Sequence, residues 1–198
     1  MKKEYFYLLY YSGMDRHDFD PLWYGQNERF FCKTCHRQKS SESSLDVTVD
    51  GDIREFADMP FIGLIPGIMS RRILDWLGSD ADRYLNIGKV FSQMGDLRKE
   101  QPYFSFTAKR PYVVLRGRNP GVLMGRPIPE DERIYICPEC GFKSRRERRP
   151  FFLLKSERPG DPISCTDLGL LIHESIYEKI GQTKLKKVRV EKVEIVDE

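Results

Sequence analysis

Histidine is scarce in this chain of 198 residues, which holds only His17, His36 and His173. A catalytic zinc ion keeps three protein ligands, often histidines, and one open position. So few imidazoles, with no H-E-x-x-H helix, argue against such a centre. A phosphate-cradling loop is missing as well: the G-R-N-P-G and G-L-I-P-G stretches lack its spacing and its Lys-Ser/Thr. There is no G-x-S-x-G elbow. Nothing approaches the run of about 18 apolar residues that a membrane-spanning helix needs. The start, MKKEYFYLLYYSG, is not a secretory leader either, because Glu4 and the aromatic residues interrupt it and no small-residue cleavage site follows. A net charge of +3, with acidic residues spread throughout, implies no strong generic affinity for nucleic acid. These absences point to a cytoplasmic protein that is not an enzyme and has no membrane partner.

What the chain does have is a pattern of cysteines. Four of its five lie in two Cys-x-x-Cys pairs, Cys32 and Cys35 in FFCKTCHRQ, Cys137 and Cys140 in IYICPECGFKS. A two-residue spacer lets both sulfurs of a tight turn point at one centre, and two such turns supply the four thiolates that zinc accepts tetrahedrally. Paired disulfides would suit a secreted chain better. A redox dithiol would normally open a helix, whereas Gly141 and a strand-like Phe142 follow Cys140. The spacing therefore predicts one structural zinc site with Cys32, Cys35, Cys137 and Cys140 as ligands. Lys33, Arg37, Lys143 and Arg145 stand beside them and can offset the charge of four thiolates. The residue after the second cysteine tends towards positive φ and is often glycine. Gly141 fits, but His36 holds that place in the first pair, either as a ligand replacing Cys35 or as an imidazole beside the site. Cys165, in PISCTDLGLL, reads as a small buried hydrophobe.

The chain echoes itself. Sliding residues 58–91 onto 161–194 aligns Asp58 with Asp161, Ile73 with Ile176, Gly78 with Gly181, Lys89 with Lys192 and Val90 with Val193, and apolar positions agree besides. The cysteine pairs repeat at nearly the same offset. Duplication and chance periodicity both account for this. Each copy reads as a knuckle, a loop, a short strand, a helix and a strand. Ser70 caps SRRILDWLG and Gly78 ends it; HESIYEKIG places Ile176, Tyr177 and Ile180 on the equivalent stripe. His173 is expected to cap that helix or lie partly buried. In the final KVRVEKVEIV the alternation slips between Val190 and Val193, which predicts a bulge or a change of face.

Residues 4–12, 44–52 and 102–117 read as strands, Arg118-Asn119-Pro120-Gly121 as a turn, and 52–67 as irregular. Tyr10, Tyr11, Asp15, His17, Asp18 and Asp20 form a polar-aromatic stretch expected to be a solvated loop. The fold class is α+β, mainly antiparallel strands with a few short helices. Residues 1–198 form a single domain, with two similar halves (28–91 and 133–194) sharing one zinc site as the arrangement implied by duplication. Arg145, Arg146, Arg148 and Arg149 follow the second knuckle, and a zinc ribbon with adjoining arginines can hold phosphates. Glu147 interrupts them, so a solvated face or an acidic protein partner is the competing role.

This combination resembles the double-CXXCG family of bacterial proteins. The features that carry the resemblance are two Cys-x-x-Cys motifs about a hundred residues apart, the second followed by glycine, and the terminal LGLLIHESIYEKIGQTKLKKVRVEKVEI. It covers most of the chain in layout, but His36 departs from the pattern and the middle segment has no residue-by-residue match. What the resemblance implies is an immunity protein that neutralises a cognate toxin by binding it. It carries over the four cysteines as metal ligands and no toxin-contacting residue.

Overall fold

The computed structural model describes residues 4–13, 16–39, 46–53, 57–62, 67–110, 112–180 and 184–197. The chain opens with β1 (Tyr5–Tyr11), β2 (Arg16–His17) and α1 (Pro21–Asn27), then the first cysteine knuckle. It continues through β3 (Val47–Asp50), β4 (Phe61–Ile62), β5 (Gly67–Ser70), α2 (Arg71–Leu77) and α3 (Ser79–Tyr84) to a long hairpin, β6 (Leu85–Met94) and β7 (Leu97–Ala108). A second set follows: β8 (Arg116–Pro120), β9 (Val122–Leu123), β10 (Arg126–Pro127), β11 (Ile134–Ile136) and β12 (Lys143–Arg145), the last two flanking the second knuckle. The chain closes with β13 (Glu147–Leu154), β14 (Ile163–Cys165), β15 (Leu170–His173), α4 (Glu174–Ile180) and β16 (Val188–Val196). The fold is α+β with mostly antiparallel pairing and few short helices.

Local chemistry sets the helix boundaries. Ser70 accepts the Ile73 N–H at 3.4 Å at the start of α2, and Gly78, at φ +56°, ends that helix. His173 does the same for α4, its Nδ1 accepting the Ser175 N–H at 3.2 Å. Asp20 is not a solvated loop residue: it is buried and caps α1, taking the Trp23 N–H at 2.8 Å, with Pro21 just inside. Asp15, Gly181, and Leu45 of the expected 44–52 strand fall outside the described residues.

Two sheets carry the architecture. One runs β14-β15-β1-β16-β13-β8, the other β5-β7-β6-β3. The inner run β15-β1-β16-β13 has the topology of β5-β7-β6-β3, with the outermost pair parallel in each and the others antiparallel. β5 starts at Gly67 and β15 at Leu170, α2 at Arg71 and α4 at Glu174, β6 at Leu85 and β16 at Val188, a constant separation of 103 residues. The registers agree from Leu85 to Lys89, where Leu85 faces Ala108 and Ile87 faces Phe106 as Val188 faces Tyr11 and Val190 faces Leu9; beyond Lys89 the first unit's register shifts and the second's does not. Across the other edge, Gly67 faces Phe106 as Leu170 faces Leu9. One strand of each unit lies outside the limits 28–91 and 133–194. The first unit takes β7 from just after β6, and the second takes β1 from the other end of the chain.

The units share one core. Met69, Ile73, Leu77 and Phe106 of the first pack with Leu9, Leu170, Ile172 and Ile176 of the second, so α2 and α4 lie between the sheets. The outer face of the smaller sheet buries Val47, Val49 and Val90 under Phe19, Trp23 and Phe31. That of the larger sheet buries Phe6, Leu8, Leu153 and Val193 under Val113 and Leu115. Strand β1 therefore has both faces buried, which explains its run of aromatic and aliphatic residues without polar alternation.

Of the two readings of the slip in β16, the change of face holds: pairing with β1 runs unbroken from Val188 to Glu194, with Val188 packing into the shared core and Val193 into the outer one. One expectation needs correction. Residues 118–120 are strand rather than turn, because β13 supplies partners on the neighbouring line: Asn119 lies opposite Arg148 and the Gly121 N–H reaches the Arg146 carbonyl at 2.8 Å. The irregularity lies in β13 itself, where the register shifts between Arg148 and Phe151 around Pro150, which has no N–H to donate.

Candidate metal centre

Each knuckle is built by the same backbone bonds. In the first, the Cys32 N–H donates to the Arg37 carbonyl at 2.8 Å and the His36 N–H to the Cys32 carbonyl at 2.8 Å. In the second, Cys137 N–H donates to Phe142 at 2.8 Å and Gly141 N–H to Cys137 at 2.9 Å. The turns need a left-handed residue after the second cysteine, and His36 at φ 56° matches Gly141 at φ 68°. The His36 ring turns away from the sulfurs, with Nδ1 3.1 Å from the Tyr24 hydroxyl. Of the two roles left open for it, the imidazole beside the site is the one observed.

The four sulfurs lie within 4.8 Å of one another. Cys32 Sγ is 3.6 Å from Cys137 Sγ, and Cys35 Sγ is 3.5 Å from Cys140 Sγ. A tetrahedron of sulfurs at zinc–sulfur bond length has edges of about 3.8 Å. All four cysteines are free thiols. The donor set and its dimensions thus fit a tetrahedral metal ion, with no protein position left open. Cys32 and Cys137 are fully buried, Cys35 is half-buried and Cys140 exposed, so the centre is shielded on one side only.

Contacts between the knuckles join equivalent positions. Cys32 meets Cys137, Cys35 meets Cys140, and Thr34 meets Glu139, each pair 105 residues apart. The Arg37 guanidinium stacks 4.0 Å above the Phe142 ring, again at that separation. Residues touching their own equivalents mark a two-fold relation, as on the axis of a symmetric dimer. The centre therefore sits on a pseudo-two-fold axis between the halves.

The second knuckle grips the first through Glu139. Its carboxylate accepts the Thr34 N–H at 3.1 Å, the Thr34 hydroxyl at 2.9 Å and the Lys33 N–H at 3.4 Å, and it pairs with Lys39 at 3.7 Å. The Thr34 hydroxyl, more than any other partner, holds the Glu139 carboxyl below its usual range. Backbone N–H groups, that of Cys140 foremost, bring the Cys137 thiol down to about 6, while burial first of all pushes Cys35 up to about 12. Thiols this crowded cannot all ionise alone; a divalent cation would supply the compensating charge. Lys33 and Lys143 are exposed, Arg37 is engaged with Phe142, and the Arg145 side chain is outside the description.

The remaining arginines do not converge. Arg146 and Arg148 are exposed, whereas Arg149 lies 3.4 Å from Glu191 and 4.8 Å above the Tyr10 ring. A hydrogen-bonded chain, Ser175–His173–Glu4 at 2.8 and 2.7 Å, suggests a nucleophile and base at first sight. It caps a helix, and neither described cavity is lined by it. Cys165 is buried, its thiol pushed up to about 12 by that burial. Beside the second knuckle lies a mostly apolar cavity of about 420 Å³ bounded by Tyr112, Val113, Ile134, Ile136 and Pro159.

Sequence reasoning named the four cysteines that come together and missed Glu139 and Thr34. The signal was available: both occupy the same place in the two Cys-x-x-Cys spacers. No protein-family model, curated protein or solved structure matches the chain.

Proposed function

We propose that this chain is a zinc-stabilised cytoplasmic binding protein, an immunity protein that neutralises a cognate bacterial toxin by stoichiometric contact. The single observation that carries the binding role is the closed donor set at the centre: four thiolates leave no position for water or substrate, so the ion acts on the scaffold. Zinc is the ion this thiolate set suits best. A reducing cytoplasm keeps such thiols available.

The second half offers the surface for a partner. Residues 116–149 hold nine Lys/Arg and five Asp/Glu, so the net positive charge of the whole chain resides here. Here too the β9–β10 hairpin exposes Leu123 at 56% and Met124 at 96%, with Ile134 and Ile136 exposed nearby. Exposed apolar residues on a segment of net positive charge suit an acidic protein surface. Growth rescue decides the matter. Co-expression with the product of the neighbouring gene should restore growth and give a one-to-one complex. Leu123→Asp with Met124→Asp should abolish both while the zinc content stays unchanged. Absence of rescue by the unaltered chain would sink the immunity reading. The second reading, nucleic-acid binding through Arg145, Arg146, Arg148 and Arg149, predicts salt-sensitive binding to random DNA or RNA that is lost when all four become alanine.

A further inference from the structure

We propose that the metal centre has a redox-sensitive edge, the Cys35–Cys140 pair, through which a peroxide expels the ion and leaves the two halves covalently joined. This rests on the reading of the four cysteines as a zinc site and adds a mode of regulation to it. Access and partnership single out this pair. Cys32 and Cys137 are 0% and 1% exposed, whereas Cys140 is exposed and Cys35 half-buried. The sulfurs an oxidant can reach therefore belong to different knuckles, and they stand 3.5 Å apart. Oxidation within one knuckle would have to join a reachable sulfur to a buried one.

Chemically, Cys140 Sγ attacks one oxygen of hydrogen peroxide, an S–O bond forms, the O–O bond breaks and hydroxide leaves. Cys35 Sγ then attacks that sulfur, the S–S bond forms, and a second hydroxide leaves. Two electrons pass from the two thiolates to the peroxide, and two protons from solvent complete two waters. The ion keeps only Cys32 and Cys137 as ligands and departs as the divalent cation. A dithiol reductant returns both electrons and restores the site for zinc. The knuckles stay pinned throughout, by the metal in one state and by the bond in the other, with Glu139 still on Thr34.

The test uses the full chain carrying Cys165→Ser, which removes the one unrelated thiol. Zinc content is measured first; peroxide is then added, released zinc is followed with a chromophoric chelator, and disulfides are mapped by mass spectrometry without reduction. The expected result is release of the whole zinc complement with the Cys35–Cys140 linked peptide dominant, both reversed by dithiol and zinc. Retained zinc, or a dominant Cys32–Cys35 or Cys137–Cys140 bond, overturns the proposal. Protein purified without any metal would instead refute the zinc reading. Disulfide mapping of that metal-free protein would still decide the pairing.

Discussion

The two halves share a scaffold and differ in what they add to it. In the first, the segment leading into the knuckle folds inwards: Phe19, Trp23 and Phe31 close the outer face of the smaller sheet. In the second, the corresponding segment holds the β9–β10 hairpin and presents Leu123, Met124 and Ile134 to solvent. The repeated parts serve as each other's control. What recurs (knuckle, strand–helix–strand, register) answers to stability, and what does not is where a partner-specific surface can arise. The shared core also limits what an ion at the four cysteines would do. With Ile73 and Ile176 buried in that core, the halves already pack together, and the ion would pin only the knuckles.

The sharpest way to break the comparison is through the ligands. On the proposed zinc reading, Cys32→Ser and Cys137→Ser should each remove all bound zinc, because a single ion would sit between equivalents. Each should lower Tm by on the order of 10 °C. Elemental analysis showing half the metal in either variant would mean two separate sites. Next come Ile73→Ala and Ile176→Ala, equivalent positions exposed by 0% and 4%. Each should cost about 2–4 kcal/mol in denaturant unfolding, and a clear inequality would show that one half dominates the core. Smaller still is the knuckle backbone. Gly141→Ala places a side chain at φ 68° and should destabilise by about 1 kcal/mol. His36→Gly relieves the same strain and gives up the Tyr24 contact, so its net change should stay within about 0.5 kcal/mol. Least disruptive is a thiol count at pH 8. Zinc-loaded protein should react slowly, chelated protein should expose four thiols, and Cys165, held as a thiol by burial, should react only after denaturation.

The four-cysteine cluster was legible because Cys-x-x-Cys spacing encodes a turn by itself. The helices were legible through Ser70, Gly78 and the apolar stripe of Ile73 and Leu77, all local signals. The offset of 103 also stood in the sequence. Hidden was the strand that completes each unit, since nothing in YFYLLYY says that it inserts between β15 and β16, some 165 residues away. Pairing partners are non-local, and a strand buried on both faces has no alternation to reveal its neighbours. The same holds for 118–120, whose Asn-Pro-Gly chemistry favours a turn until β13 provides hydrogen bonds.

The position of β1 between β15 and β16 has a consequence during synthesis. Tyr5–Tyr11 leaves the ribosome long before its pairing partners, both of which lie beyond residue 169. At elongation speeds of roughly 5–20 residues per second, that strand waits about ten seconds to half a minute with both edges unsatisfied. The first unit, complete once β7 emerges, can fold long before. A seven-residue segment rich in tyrosine, phenylalanine and leucine, left open on both sides, is a natural client for a holding chaperone. Yield at the ribosome should therefore depend on how fast residues 170–196 arrive.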